Sequence, residues 1–128
     1  MHKVYLVIGT VLAGLSVVLG AFGAHGLKQI VPPETVATYQ TGVQYQIYHA
    51  FALILVGMLF ERFPNNFVNY AGMFFIAGIV LFSGSLYLLA SLKAMNKVGV
   101  TGVGIITPIG GLLFIVGWIL LLIGIVRK

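Results

Sequence analysis

The chain is short, apolar and nearly free of charged side chains: of its 128 residues, 60% are hydrophobic and 7% are charged. Soluble domains carry about 25% charged residues, so an ordinary soluble domain is excluded and lipid is the solvent for most of the chain. The formal net charge of +5 is spread over the ends of apolar runs and forms no basic stripe for nucleic acid. With no cysteine, thiol chemistry, disulfides and thiolate metal sites are also excluded.

Long intervals without charge predict four membrane spans. The charged residues are Lys3, Lys28, Glu34, Glu61, Arg62, Lys93, Lys97, Arg127 and Lys128. Between them we predict spans at about residues 4–24, 41–60, 67–92 and 100–126, since a helix needs about 20 residues to cross a bilayer. Barrel strands are only about 9–11 residues long. The predicted fold is therefore all-α, a four-helix transmembrane bundle with short loops, in one domain covering residues 1–128.

Span one carries small residues along one side, where another helix backbone can approach closely. These residues are Gly9, Ala13, Ser16, Gly20 and Ala24. The basic start and apolar stretch also fit a signal peptide. Because Val4–Ala24 is long enough to span a bilayer, we expect it to stay in the membrane.

Span two, expected within Glu34–Phe60, has a polar side and an apolar side. At about 100° per residue, one side carries Thr38, Thr41, Gly42, Gln44, Tyr45, Gln46, Tyr48, His49 and Ala52. The other side carries Val36, Val43, Ile47, Ala50 and Ile54. Since lipid offers no hydrogen bonds, we expect the apolar side to face lipid and the polar side to face the bundle interior or a partner chain.

His49 is an ionisable side chain deep within an apolar run, and such a residue in lipid is a functional hypothesis because leaving it unpaired costs several kcal/mol. His25 follows span one on the side of the membrane where span two begins. We therefore predict one shared polar pocket, open towards the first and third connections. Its predicted residues are His25, Gln44, Tyr45, Tyr48 and His49.

Two imidazoles, with Glu34 as a third ligand, could bind a metal or a haem iron. The chain has no His-x-x-x-His spacing and no second buried carboxylate, so we predict no metal and no cofactor. The pocket is expected to hold water, a lipid head group or a small organic molecule. A structural, hydrogen-bonded histidine and a proton-relaying or gating histidine are both open alternatives for His49.

Span three contains Ser83-Gly84-Ser85 and Tyr87. The chain has only two carboxylates and no evident nucleophile arrangement. We therefore expect these hydroxyl groups to make hydrogen bonds between helices.

Span four carries glycines at seven-residue intervals, which keep a close-packing seam on one helix face. These are Gly110, Gly117 and Gly124, with Gly104 and Gly111 as a second pair. Pro108 lacks an amide hydrogen and frees the carbonyl of Gly104. We expect span four to kink or break at this proline.

Four spans place both termini on one side of the membrane. That side carries Lys3, Arg62, Arg127 and Lys128, and the other carries Lys28, Lys93 and Lys97. The positive-inside rule then favours cytoplasmic termini by a single residue.

Four stretches of the chain resemble the domain-of-unknown-function 423 family of small bacterial membrane proteins, which is related to eukaryotic transmembrane protein 256. They are Gly20–Leu27, Tyr39–Ala50, Phe82–Tyr87 and Thr107–Trp118. The resemblance implies a multi-pass protein of the bacterial plasma membrane. It implies no activity and no catalytic residues.

The sequence is compatible with three functions. The leading hypothesis is a non-enzymatic membrane protein that binds a lipid, a small molecule or a partner through the polar side of span two. The second is a minimal passage for an ion or small solute, which requires a homo-oligomer because four helices enclose little space. The third is an enzyme acting on a lipid-soluble substrate, with His49 as acid or base.

Overall fold

The described part of the protein is built from helices. The computed structural model describes residues 2–95 and 101–127, with the backbone alone for 101–103. Its elements are α1 (Lys3–Ala24), a 3₁₀ turn (Leu27–Gln29), α2 (Pro33–Leu59), α3 (Asn66–Gly78), a π-helical segment (Ile79–Ser83), α4 (Gly84–Ala94) and α5 (Thr101–Arg127). Four stretches are long and apolar enough to cross a membrane: Lys3–Gln29, Pro33–Leu59, Asn66–Ala94 and Gly104–Arg127. The predicted all-α, four-helix transmembrane fold is confirmed.

The helix boundaries follow local chemistry. Helix α2 begins at Pro33, well before the predicted span at 41, because a proline at the first helical position needs no partner for an amide. Helix α3 begins after Asn65, whose side chain accepts a hydrogen bond from the amide of Val68 at 3.1 Å. Residues 96–100 lie outside the described part, and with them most of the predicted third connection and the start of span four.

Helix α2 lies at the centre of the bundle, between α1 and the third span formed by α3, the π-helical segment and α4. Helix α5 packs along the third span. The amide of His2 donates to the carbonyl of Gly57 at 2.9 Å, and the Asn65 side chain donates to the carbonyl of Gly124 at 2.9 Å. These contacts bring the start of α1 and the end of α5 to the same end of the bundle.

The five glycines predicted to pack helices lie at contacts between helices. They are Gly9, Gly20, Gly110, Gly117 and Gly124, and a Cβ atom added at any of them would come within 3.4 Å of a neighbouring helix. An added Cβ at Gly9 would lie 2.8 Å from the carbonyl oxygen of Ala50. At Gly110 it would collide with the backbone of Phe82. Helix α5 and the π-helical segment are therefore in backbone contact.

The predicted orientation of α2 is wrong in part. Val43 and Ala50, expected to face lipid, are buried, whereas Gln44 and Tyr48 are exposed. The reason is the glycine side of α1, which accepts the small apolar residues of α2 in close contact. Polarity alone did not identify the buried side of this central helix.

A layer of buried polar groups crosses the bundle between two apolar clusters. The larger cluster contains Leu53, Val56, Val68, Phe75 and Phe114 among others, and the smaller contains Leu27, Val31, Tyr39, Val43 and Ala90. In the layer, Gln46 donates to the carbonyl of Leu12 at 3.0 Å and accepts from the hydroxyl of Tyr87 at 2.6 Å. Ser83 donates to the carbonyl of Gly42 at 2.6 Å. The hydroxyl groups of span three thus bond between helices.

Helix α5 continues through Pro108, so the break that was one predicted outcome does not occur. The neighbouring Thr107 bonds across helices, its hydroxyl oxygen lying 2.6 Å from that of Ser85. Ser85 also lies 2.8 Å from the carbonyl oxygen of Phe82, to which it donates. Polar groups on α4 and α5 are therefore tied together beside the proline.

Candidate functional site

A groove of about 560 Å³ separates α2 from α5, with the π-helical segment at its side. It is lined by Tyr45, His49, Phe82, Pro108, Gly111, Leu112, Phe114, Ile115 and Trp118. Two of these residues, Pro108 and Gly111, have little side-chain volume. These two residues leave room on α5 beside the rings of Tyr45 and His49 on α2.

His49 is held at the groove by two hydrogen bonds. Its Nδ1 atom lies 2.8 Å from the carbonyl oxygen of Tyr45, and its Nε2 atom lies 3.1 Å from the indole nitrogen of Trp118. A carbonyl can only accept and an indole N–H can only donate. The ring is therefore neutral, with its proton on Nδ1 and its Nε2 lone pair engaged by Trp118.

Aromatic packing fixes the same ring. His49 stacks on Phe114 with 3.6 Å between ring centroids and 10° between ring planes. Phe114 in turn lies 5.6 Å from the ring of Phe82, which lies 4.8 Å from that of Tyr45. With only 5% of its surface exposed, His49 is shielded from lipid. The groove wall is a rigid aromatic surface rather than a set of free polar groups.

Tyr45 brings a hydroxyl group to the groove. Its side chain is 39% exposed, and no described residue forms a hydrogen bond with its hydroxyl. Tyr45 lies eleven residues after Glu34, about 16 Å along the helix at 1.5 Å per residue. This places it within the hydrocarbon layer, which is about 30 Å thick. A hydroxyl at this depth is costly unless it finds a partner.

The five predicted pocket residues do not share one pocket. Tyr45 and His49 line the groove, whereas His25 is exposed at the end of α1 and bonds its own helix at the carbonyl of Ala21, 2.9 Å away. Gln44 lines a different groove on the surface of α2, and Tyr48 is 51% exposed. The predicted shared pocket is corrected to a groove that holds only two of the five.

Three residues of the groove were not predicted from the sequence: Phe82, Phe114 and Trp118. One signal was available for Trp118, the only tryptophan of the chain. Membrane tryptophans favour the two interfaces, whereas Trp118 lies well inside α5, where its N–H needs a partner. No comparable signal marked Phe114 or Phe82, because phenylalanine is ordinary in a membrane span.

Within the described residues, no group of three or more histidine, aspartate or glutamate side chains is placed to hold a metal ion. His49 already uses both ring nitrogens, and His25 lies elsewhere. The site offers an aromatic surface and one hydroxyl group, and such a lining suits the binding of a largely apolar molecule.

Comparison with known proteins identifies the family. The profile of the family described as a protein of unknown function (DUF423) matches residues 19–111. The chain belongs to the DUF423 family. The match covers α2, the third span and the start of α5, and so includes Tyr45, His49 and Phe82. The resemblance predicted from sequence stretches is confirmed.

Relatives of this DUF423 protein match over nearly their full length. The UPF0382 membrane protein YwdK of Bacillus subtilis (strain 168) is 42% identical over 126 residues, covering 98% of each chain. The UPF0382 membrane protein SAB0533 of Staphylococcus aureus (strain bovine RF122 / ET3-1) is 41% identical, covering 94% of this chain and 93% of its own. The UPF0382 membrane protein SSP2132 of Staphylococcus saprophyticus is 41% identical over 122 residues. No solved structure matches the chain.

Proposed function

We propose that this membrane protein binds a lipid-soluble molecule in the groove between α2 and α5. The observation that carries the proposal is the combination of an aromatic wall with the hydroxyl of Tyr45, for which no described residue provides a partner. A volume of about 560 Å³ falls within the range of about 300–1,000 Å³ that is usual for small-molecule sites.

The lining indicates the chemistry of the ligand. Most of it is aromatic or aliphatic, so the ligand should be largely apolar, as a lipid chain or a flat lipid-soluble ring would be. The Tyr45 hydroxyl can donate and accept one hydrogen bond, so one polar group on the ligand is expected near the membrane centre. Both nitrogens of His49 are occupied, which favours binding over acid–base catalysis.

The packing of the bundle argues against a passage through one copy of the chain. Leu53, Val56, Val68 and Phe75 are fully buried on the axis of the larger apolar cluster. The polar layer beside it is bonded across helices at Gln46. A solute path would have to cross both, so binding is the function that this geometry favours.

Filling the groove with a larger side chain should weaken binding. Gly111→Leu places a branched side chain in the groove, and we expect about tenfold less bound molecule, since lost contacts of about 1.4 kcal/mol reduce affinity by that factor. The measurement is native mass spectrometry of protein purified in mild detergent from the membranes of its host. It should detect one apolar molecule per chain in the wild-type protein.

The matched control is Gly14→Leu, because Gly14 is exposed and a Cβ atom added there meets no neighbouring atom within 4 Å. This variant should retain the molecule as the wild-type protein does. Equal retention by Gly111→Leu, or no retained molecule in any of the three proteins, would contradict the proposal.

We further propose that the protein lies in the bacterial plasma membrane with both termini in the cytoplasm. In the sequence, the span ends on the side of the termini carry four basic residues, Lys3, Arg62, Arg127 and Lys128. The span ends on the other side carry three, Lys28, Lys93 and Lys97. A fluorescent protein fused after Lys128 should then fold and fluoresce, and alkaline phosphatase fused there should be inactive. Active phosphatase would contradict this orientation.

A further inference from the structure

We infer that the exposed side of α2 binds a second copy of this chain, with Gln44 of one copy hydrogen-bonded to Gln44 of the other. This contact surface, the Gln44 face, consists of Ala37, Thr41, Gln44 and Tyr48. It is separate from the α2–α5 groove, and the inference does not rest on the proposed ligand.

The first observation is the position of Gln44 in the membrane. Glu34 and Glu61 bracket α2, and Gln44 lies about 15 Å from Glu34 along the helix and about 5 Å from the midpoint between them, at 1.5 Å per residue. This depth is inside a hydrocarbon layer about 30 Å thick. The side chain is exposed on the surface of a single copy, where lipid offers its amide no hydrogen bond. A single copy therefore leaves a polar amide in hydrocarbon.

The polar groups on this side differ in their need for a partner. The hydroxyl of Thr41 donates to the carbonyl of Ala37 in its own helix at 3.0 Å, so it is satisfied. The side chains of Gln44 and Tyr48 form no hydrogen bond with any described residue. The adjacent Gln40, by contrast, is used inside the bundle, where it donates to the carbonyl of Gly20 at 3.2 Å. Gln44 and Tyr48 are thus the two groups that an additional chain could satisfy, and Gln44 alone carries both donors and an acceptor.

The spacing of the surface fits another helix. Ala37, Thr41, Gln44 and Tyr48 are spaced by four, three and four residues, the repeat that lines one side of a left-handed helix pair. A groove of about 530 Å³ runs beside Gln44, lined by Ala37, Gln40, Thr41, Val43, Gln44 and Ile47. Ala37 and Thr41 are small enough for close approach of a second backbone.

The occupant that we propose for the Gln44 face is a second copy of the chain, because two-fold symmetry places Gln44 opposite Gln44. Two copies inserted in the same direction are related by a two-fold axis along the membrane normal, which pairs α2 with α2 in parallel and sets each residue opposite itself. A side-chain amide carries both donors and an acceptor, so two facing glutamines satisfy each other. A lipid chain on the same surface would leave both amides unpaired. A single polar residue within such a seam also fixes the register of the two helices.

Cysteine crosslinking tests the contact directly, because the chain contains no cysteine. Single variants Ala37→Cys and Tyr48→Cys, which keep Gln44, are oxidised with iodine in native membranes. The controls are Val17→Cys on α1 and Val80→Cys on the third span, both exposed and near the middle of their spans. We expect crosslinked dimer to form about tenfold faster on the Gln44 face, since a disulfide needs Cβ atoms within about 4.5 Å. Rates equal to those of the controls would overturn the inference.

A second measurement isolates the hydrogen bond. In lipid vesicles, energy transfer between labelled copies should show the dissociation constant of Gln44→Leu raised by about 3-fold, which corresponds to the average hydrogen bond between membrane helices, and by at most about 18-fold. Val80→Leu is the control and should leave the constant unchanged. An unchanged or lowered dissociation constant for Gln44→Leu would also overturn the inference. Because Gln44 is exposed in one copy, this change leaves the packing within the bundle intact.

Discussion

Gly110→Ala is expected to lower the free energy of unfolding by about 1–3 kcal/mol, the usual cost of overpacking. Alanine favours a helix over glycine by about 1 kcal/mol, so the intrinsic effect has the opposite sign. Packing outweighs it here because the added Cβ atom would collide with the backbone of Phe82, which cannot rotate away as a side chain can. Unfolding with sodium dodecyl sulphate, followed by fluorescence of the single tryptophan, measures the change.

The neighbouring glycine provides a matched control. A Cβ atom at Gly111 would lie 3.8 Å from the ring of Phe82, an ordinary contact distance. Gly111→Ala should therefore leave stability unchanged or raise it slightly. If both variants were as stable as the wild-type protein, α5 would not be in backbone contact with the π-helical segment.

His49→Ala is expected to lower the free energy of unfolding by about 2–4 kcal/mol. The variant leaves a cavity beside Phe114 and an N–H group of Trp118 without an acceptor, and both are destabilising. The change removes the ring stacked on Phe114 at 3.6 Å and the acceptor of the Trp118 N–H. The same unfolding measurement can be followed by helical circular dichroism, which does not depend on Trp118.

Two further variants separate packing from hydrogen bonding at this site. His49→Phe keeps a ring against Phe114 but supplies no acceptor, so it should cost less than His49→Ala. A double-mutant cycle of His49→Ala with Trp118→Phe should give a coupling of about 0.6 kcal/mol, the average for hydrogen bonds between membrane helices, and at most about 1.7 kcal/mol. A coupling of zero, or a wild-type stability for His49→Ala, would show that His49 does not anchor α5.

The fold was predictable because lipid imposes a strong rule on the sequence. Spans must be long, apolar and free of charge, and the seven-residue glycine repeat of α5 marked the side that packs on the third span. The π-helical segment at Ile79–Ser83 was not predictable. Ser83, its last residue, donates to the carbonyl of Gly42 on α2, a contact that the local sequence does not predict.

The site was less predictable because the buried side of α2 does not coincide with its polar side. His49 was identified from its depth alone, but its partner Trp118 lies 69 residues away, and only the packing of α5 brings the two rings together. Gln44 was grouped with His49 by angular position and in fact faces outward. A helical wheel shows which side is polar, whereas the neighbouring helices decide whether that side is buried.

The groove between α2 and α5 is the binding site that we propose for this protein. The most direct measurement is a high-resolution density map of the protein extracted from native membranes into lipid nanodiscs. We expect ordered density for a mostly apolar molecule along Phe82, Phe114 and Trp118, with one polar group within hydrogen-bonding distance of the Tyr45 hydroxyl. A groove closed by α5 against α2, or one whose density is no more ordered than the surrounding lipid, would contradict it.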